Sequence, residues 1–304
     1  MSQNTCDRCD RKLVDPNAQY GWRCAKLVGS PVNSNATMAA YSLFERNYLS
    51  KLIRAAEKIA GKVSRETQKL IDTWKSAVDS LQKELKNGLT KAGYTALDKL
   101  LEIAIGLEAP IDKWTSDWNF QHNIGFKFDD FIYDQTTGDA AKLKVGAFGT
   151  GSANGCGPVA IYNALRLLGE RVQPAYVIRH LDTTGGALVG GLLGINPKAV
   201  ENAFMELEYN VNHMYLPKNL DVAVKESHVS VLAYAHNSGA HYVAIEYVDG
   251  EYHVYNEYPG DKTPRKYDSI DNWVVEGNFL PISLVTIPKA APQPPRRPTY
   301  THLI

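Results

Sequence analysis

The sequence predicts an α+β fold: a helical front region followed by a mixed half in which one helix leads into antiparallel strands. Three observations carry this. Between Ala36 and Leu107 apolar residues recur at three- and four-residue spacing, the helical period. From Val159 an amphipathic run opens behind Pro158 and stops at Gly169. From His241 to Asn256 two β-rich runs flank Asp249-Gly250, a dipeptide suited to a two-residue hairpin turn.

In chain order, residues 1–35 form a polar segment containing Cys6, Cys9 and Cys24. These are three thiolates of the kind that bind metal. Structural zinc wants four ligands, and there is no histidine before His122 to supply the fourth. The segment is therefore expected to be flexible and non-catalytic, with no cofactor. Residues 36–115 carry three apolar stripes. Tyr41, Phe44, Tyr48 and Leu52 begin the first, Leu70, Trp74, Val78 and Leu81 the second, and Tyr94, Leu97, Leu101 and Ile105 the third. Gly61 and Gly93 punctuate them, and Ala109-Pro110 closes the last. A helical bundle or hairpin follows from that pattern.

Residues 116–144 cluster aromatics, Trp118, Phe120, Phe126, Phe128, Phe131 and Tyr133 among them. Short strands or a loop linking the helices to the second half are expected there. Pro174 to Asp182 reads as a short helix, and Asn196-Pro197 as the cap of another with Val200, Phe204 and Leu207 inward. Between them Thr183 to Gly194 is glycine-rich but lacks the Gly-Lys-Ser/Thr ending of a phosphate loop. Val229–Tyr234 and Leu280–Ile287 read as core strands, and residues 289–304 as a proline-rich disordered tail.

The chemistry-bearing motif is Asn154-Gly155-Cys156-Gly157-Pro158. It presents a thiol at a helix N-terminus, where unpaired backbone N–H groups favour the thiolate and lower the thiol pKa. The glycines on either side, Gly155 and Gly157, are expected to leave the sulfur uncovered and the backbone free to touch a substrate. A thiol nucleophile needs a base. Counting outward from Asp249-Gly250 pairs Val248 with Glu251 and Val243 with Asn256. His241 then lies one diagonal from Asn256 on the same face. Of the eight histidines in the chain, it alone meets that requirement without further assumptions. The Asn256 carboxamide oxygen is expected to accept the imidazole N–H and aim the other nitrogen at the thiol. The face carrying Val243, Ile245, Tyr252 and Val254 should pack on the core. The face carrying Glu246, Glu251, His253 and Glu257 should be wet.

Asn-Gly-Cys-Gly-Pro with its helix, then His-Tyr-Val-Ala-Ile, then a hairpin strand ending in Asn, resembles the papain-like cysteine peptidase superfamily. Within it the bacteriocin-leader-processing (double-glycine) peptidases are the nearest branch. The resemblance spans residues 145–288, about half the chain. It implies a papain-like fold, with a helical lobe behind the cysteine and an antiparallel sheet lobe carrying the base. It implies a Cys156–His241–Asn256 triad acting on a peptide or protein substrate. The family places an oxyanion-hole glutamine six residues before the cysteine, where this chain has Thr150. Asn154 is the substitute amide, with the Cys156 backbone N–H as second donor. Gly155, Gly157, Gly185 and Gly186 are the candidate substrate-cleft residues. By analogy with propeptides, the pre-catalytic segment 116–144 is expected to lie across the groove.

Thirty-three basic and thirty-three acidic residues cancel, leaving no field to recruit nucleic acid. No apolar run approaches a membrane span, and residues 1–30 lack the apolar centre of a secretory signal. A cytoplasmic protein, or one exported by a specialised secretion system, is expected. A helical front joined to a hydrolytic back also fits a secreted bacterial effector or toxin, whose immunity protein would plug the cleft. Two other functions remain open: acyl transfer to an amine on the same fold, and a non-catalytic binding module with a relic site.

Overall fold

The computed structural model of the protein describes residues 115–187, 194–236 and 239–289, together with Glu102 and Ile105. Cys6, Cys9 and Cys24, nearly all of the helical stripes, the centre of the glycine-rich stretch and the proline-rich tail lie outside these residues. Within them the architecture is α+β, with helices packed on antiparallel strands.

Residues 115–123 form a helix, α1, where strands or a loop were expected. Parts of the stretch to Leu143 pack inward: Phe120, Ile132, Ala140 and Leu143 are buried. Polar side chains stitch it down by pairing its backbone, which an irregular buried segment requires. The Asn119 amide donates to the Gly146 carbonyl (2.7 Å) and to Asp182 (2.8 Å). Asn163 accepts from the Ile132 N–H and donates to the Ile132 carbonyl. The Tyr162 hydroxyl reaches the Asp130 carbonyl.

A short antiparallel pair follows, β1 (Lys144–Val145) with β2 (Gly149–Thr150), then α2 (Gly151–Asn154) and α3 (Cys156–Leu167). The end of α3 falls where Gly169 predicts it. Gly169 takes φ 84°, its N–H returns to Arg166, and the Glu170 N–H returns to Leu165. Next come α4 (Pro174–Thr184), closed by left-handed Gly185, and α5 (Pro197–Glu206), capped by the Asn196 side chain on the Lys198 N–H.

The remaining elements are β3 (Asn212–Tyr215), α6 (Leu220–Lys225), β4 (Ser227–His236), β5 (Gly239–Val248), β6 (Glu251–Tyr255), β7 (Arg265–Tyr267), α7 (Ile270–Glu276) and β8 (Leu280–Pro288). Six strands make one antiparallel sheet in the order β3-β8-β4-β5-β6-β7. The β5–β6 hairpin turns on Asp249 (φ 53°) and Gly250 (φ 89°), and pairs Val248 with Glu251 as expected.

Both faces of this sheet are covered. Val231, Ala233, Tyr242, Ala244 and Val285 pack with α3 and α5; Leu232, Tyr234, Val243, Ile245 and Leu284 pack with α6 and α7. Strand β4 consequently reads as almost continuously apolar. Fully burying a side chain such as Ile161 or Leu165 on α3 contributes about 1.5–3 kcal/mol. The expected wet face is corrected by Glu257, which is buried and accepts from the Tyr267 hydroxyl and the Trp273 indole N–H.

Candidate active site

Cys156 is the first residue of α3, and α2 runs into it through Gly155 (φ −80°, ψ −1°). It is a free thiol with 6% of its surface exposed. Burial pushes this thiol up to about 11, because a thiolate there loses its hydration. Hydrogen bonds from the backbone of Tyr242, Gly157 and Cys156 itself pull the other way and are overcome. The expected lowering at a helix N-terminus is thereby reversed: desolvation outweighs the amides. At neutral pH the resting group is the thiol.

The flanking glycines serve packing, not openness. A Cβ on Gly157 would stand 2.5 Å from Ile195 Cγ1, and one on Gly155 2.5 Å from the Gly151 carbonyl oxygen. Both positions are buried. Gly185 and Gly186, the other candidate cleft glycines, close α4: Gly185 takes φ 78°, and a Cβ on Gly186 would meet Ala199 and Leu181 at 2.9 Å. Asn154 is the last residue of α2 and half-buried. Thr150 caps α2 by accepting from the Ala153 N–H.

His241 sits near the start of β5, opposite Tyr234 of β4, whose ring meets the imidazole edge-on with centroids 5.8 Å apart. Its Nε2 lies 2.6 Å from the Asn256 backbone carbonyl oxygen. A carbonyl only accepts, so Nε2 carries the proton and the lone pair of the neutral ring falls on Nδ1. Nδ1 has no hydrogen-bond partner among the described residues. Burial lowers the imidazole pKa below its ordinary value, the Asn256 carbonyl opposes this, and nearby His236 adds to it.

Asn256 differs from expectation in one respect. The β5–β6 ladder ends at Ala244–Tyr255, one pair earlier than the count predicted, and Asn256 turns left-handed with φ 63°. Its carboxamide faces away from the histidine and binds Gln135. Oδ1 accepts from the Gln135 backbone N–H (2.9 Å) and Nδ2 donates to Gln135 Oε1 (2.8 Å). The histidine's partner is thus the main-chain oxygen of the predicted residue.

Cys156 approaches β5 at the residue after His241. The amide that hydrogen-bonds the Cys156 sulfur belongs to Tyr242, the residue after His241, past the last β5–β6 pair. Burial raises the Tyr234 phenol, repulsion from Glu257, Tyr258 and Cys156 adds to it, and its ring meets the His241 imidazole. Thiol and imidazole are not hydrogen-bonded to each other. His241 shares its face with Val243 and Ile245 under α7, whereas α3 packs on the opposite face. The sulfur meets β5 at a backbone amide.

Sequence reasoning missed Gln135, Tyr234 and the Tyr242 amide. Nothing local marks Gln135, which lies 121 positions from Asn256. Among the described residues no group of three or more His, Cys, Asp or Glu side chains is placed to hold a metal ion, and no helix is long and apolar enough to cross a membrane. No protein-family model matches the sequence, and no curated protein matches it.

Proposed function

We propose that the protein is a cysteine hydrolase of papain-like type that cleaves a peptide or isopeptide bond, with Cys156 as nucleophile and His241 as base. One observation carries this reading. His241 has Nε2–H fixed on a carbonyl and Nδ1 unengaged, one residue from the amide that bonds the Cys156 sulfur. A helix-borne thiol beside a histidine on an antiparallel sheet also accords with the papain-like resemblance.

The raised thiol and lowered imidazole define a neutral resting pair. As the sulfur attacks the carbonyl carbon, Nδ1 of His241 takes the thiol proton and the carbonyl π electrons move onto oxygen. The backbone N–H of Cys156, with the Asn154 amide as second donor, holds that oxyanion. One such donor is worth roughly 3 kcal/mol of barrier. Collapse breaks the C–N bond while His241 returns its proton to the leaving amine. Water, deprotonated by the same nitrogen, then hydrolyses the thioester and restores the thiol. The imidazolium formed on the way is stabilised by the Asn256 carbonyl.

The test is turnover of a peptide mixture by the full chain, with new termini read by mass spectrometry. Cys156→Ala is expected to abolish cleavage while leaving the circular dichroism spectrum unchanged. Undiminished cleavage by that variant refutes the nucleophile. Added primary amines separate hydrolysis from acyl transfer, since transfer yields amides in place of free carboxylates.

A further inference from the structure

We infer that Gln135 is a positioning residue that couples the base to the nucleophile, by gripping Asn256 with one end of its amide and the helix before Cys156 with the other. This rests on the hydrolase reading above and adds a component for which neither the motif nor the resemblance calls.

The geometry is specific. Gln135 is buried, with 6% of its surface exposed. Its backbone N–H and its Oε1 form a reciprocal pair with the Asn256 carboxamide at 2.9 and 2.8 Å. Its Nε2 donates to the carbonyls of Gly151 (3.1 Å) and Ser152 (3.3 Å), both in α2. Helix α2 continues through Gly155 into Cys156, and the Gly155 N–H shares the Gly151 carbonyl. On the other side, Asn256 holds His241 Nε2 through its main-chain oxygen. One side-chain amide therefore touches the mounts of both the thiol and the imidazole.

A purely structural amide would need only to satisfy its own polar atoms. Gln135 does more, because it clamps a residue in an uncommon backbone state. Asn256 holds φ 63°, a region that few non-glycine residues enter and asparagine enters more readily than most, and its carbonyl direction depends on that twist. With Nε2 spent on two carbonyls and Oε1 on Asn256, Gln135 has no donor left for an oxyanion. Its contribution acts through His241 and Cys156, and a misplacement of about 1 Å at such a site costs up to roughly a hundredfold in rate.

The test uses the full chain with Cys6→Ser, Cys9→Ser and Cys24→Ser, so that iodoacetamide reports on Cys156 alone. Alkylation rates are followed across pH, and the His241 Nε2–H resonance is read in histidine-labelled protein. Gln135→Met keeps the volume and removes the side-chain hydrogen bonds. It is expected to slow alkylation at neutral pH about tenfold or more, to displace the pH midpoint and to broaden the Nε2–H resonance. Gln135→Glu keeps the acceptor for Asn256 but sets an oxygen against two carbonyls; the same change, of equal sign, is expected. It serves as the reading if the methionine variant does not fold. A folded variant whose pH profile and Nε2–H resonance match the parent overturns the inference. If His241→Gln also leaves the profile unmoved, the hydrolase reading itself falls. If His241→Gln moves it and the Gln135 variants do not, only the coupling falls.

Discussion

Two histidines of this protein are held by hydrogen bonds at 2.6–2.7 Å, and they differ in how many ring nitrogens those bonds commit. His213 on β3 bonds Glu201 through Nδ1 and the Ser283 hydroxyl through Nε2, both at 2.7 Å. Drawn flat, this is a carboxylate–imidazole–hydroxyl relay. Yet Ser283 is 2% exposed in the sheet, and both ring nitrogens are committed. His213 in turn holds the Glu201 carboxyl below its usual range, helped by Lys198. That cluster fastens α5 to β3 and β8. His241 spends one nitrogen on a carbonyl and leaves the other without a hydrogen-bond partner among the described residues. A histidine fully satisfied by its neighbours is a fastener; one left half-satisfied is available as a base.

The contrast can be broken most directly by the same substitution at both sites. His241→Gln is expected to lower turnover roughly 10²- to 10⁴-fold with little change in melting temperature. His213→Gln is expected to cost about 1–3 kcal/mol of stability through its unpaired buried neighbours, while turnover of the folded fraction stays within about twofold. Chemical denaturation and initial rates read both. Equal kinetic losses at the two sites would erase the distinction.

A smaller effect sharpens the His241 side. Because the acceptor is the Asn256 backbone carbonyl, Asn256→Gly keeps it and accepts φ 63° without strain, whereas Asn256→Ala keeps it but resists that twist. The glycine variant should lose about tenfold in rate, and the alanine variant more, since strain of roughly 1–3 kcal/mol pulls the carbonyl out of line. Identical rates in the two variants would return the orienting role to the carboxamide.

The local parts of this arrangement were legible in the chain. Pro158 and Gly169 bracketed α3, Asp249-Gly250 set the hairpin register, and Asn196-Pro197 opened α5, because caps and tight turns depend on neighbours in sequence. Long-range packing was not. The glycines around Cys156 looked open, but Ile195 from a distant segment fills the space at Gly157. That α1 and the aromatic stretch after it are tied down could not be read locally, because the backbone partners Asn163 and Tyr162 lie on α3. The thiol pKa was misjudged in sign for a related reason: the amides at the helix start can be read locally, but burial depends on the whole fold. Asn256 was found by its place in the hairpin, yet a one-pair difference in where β6 ends exchanged its side chain for its main chain as the histidine's partner.

Acylation of the full chain by p-nitrophenyl acetate, in the background lacking Cys6, Cys9 and Cys24, tests the Cys156–His241 partnership most directly. A burst of one equivalent of nitrophenolate is expected, with the acetyl group on Cys156 by mass spectrometry and a rate at least about a hundredfold lower in His241→Gln. A burst of equal rate without the imidazole, or acetylation at any other residue in its place, would contradict the account.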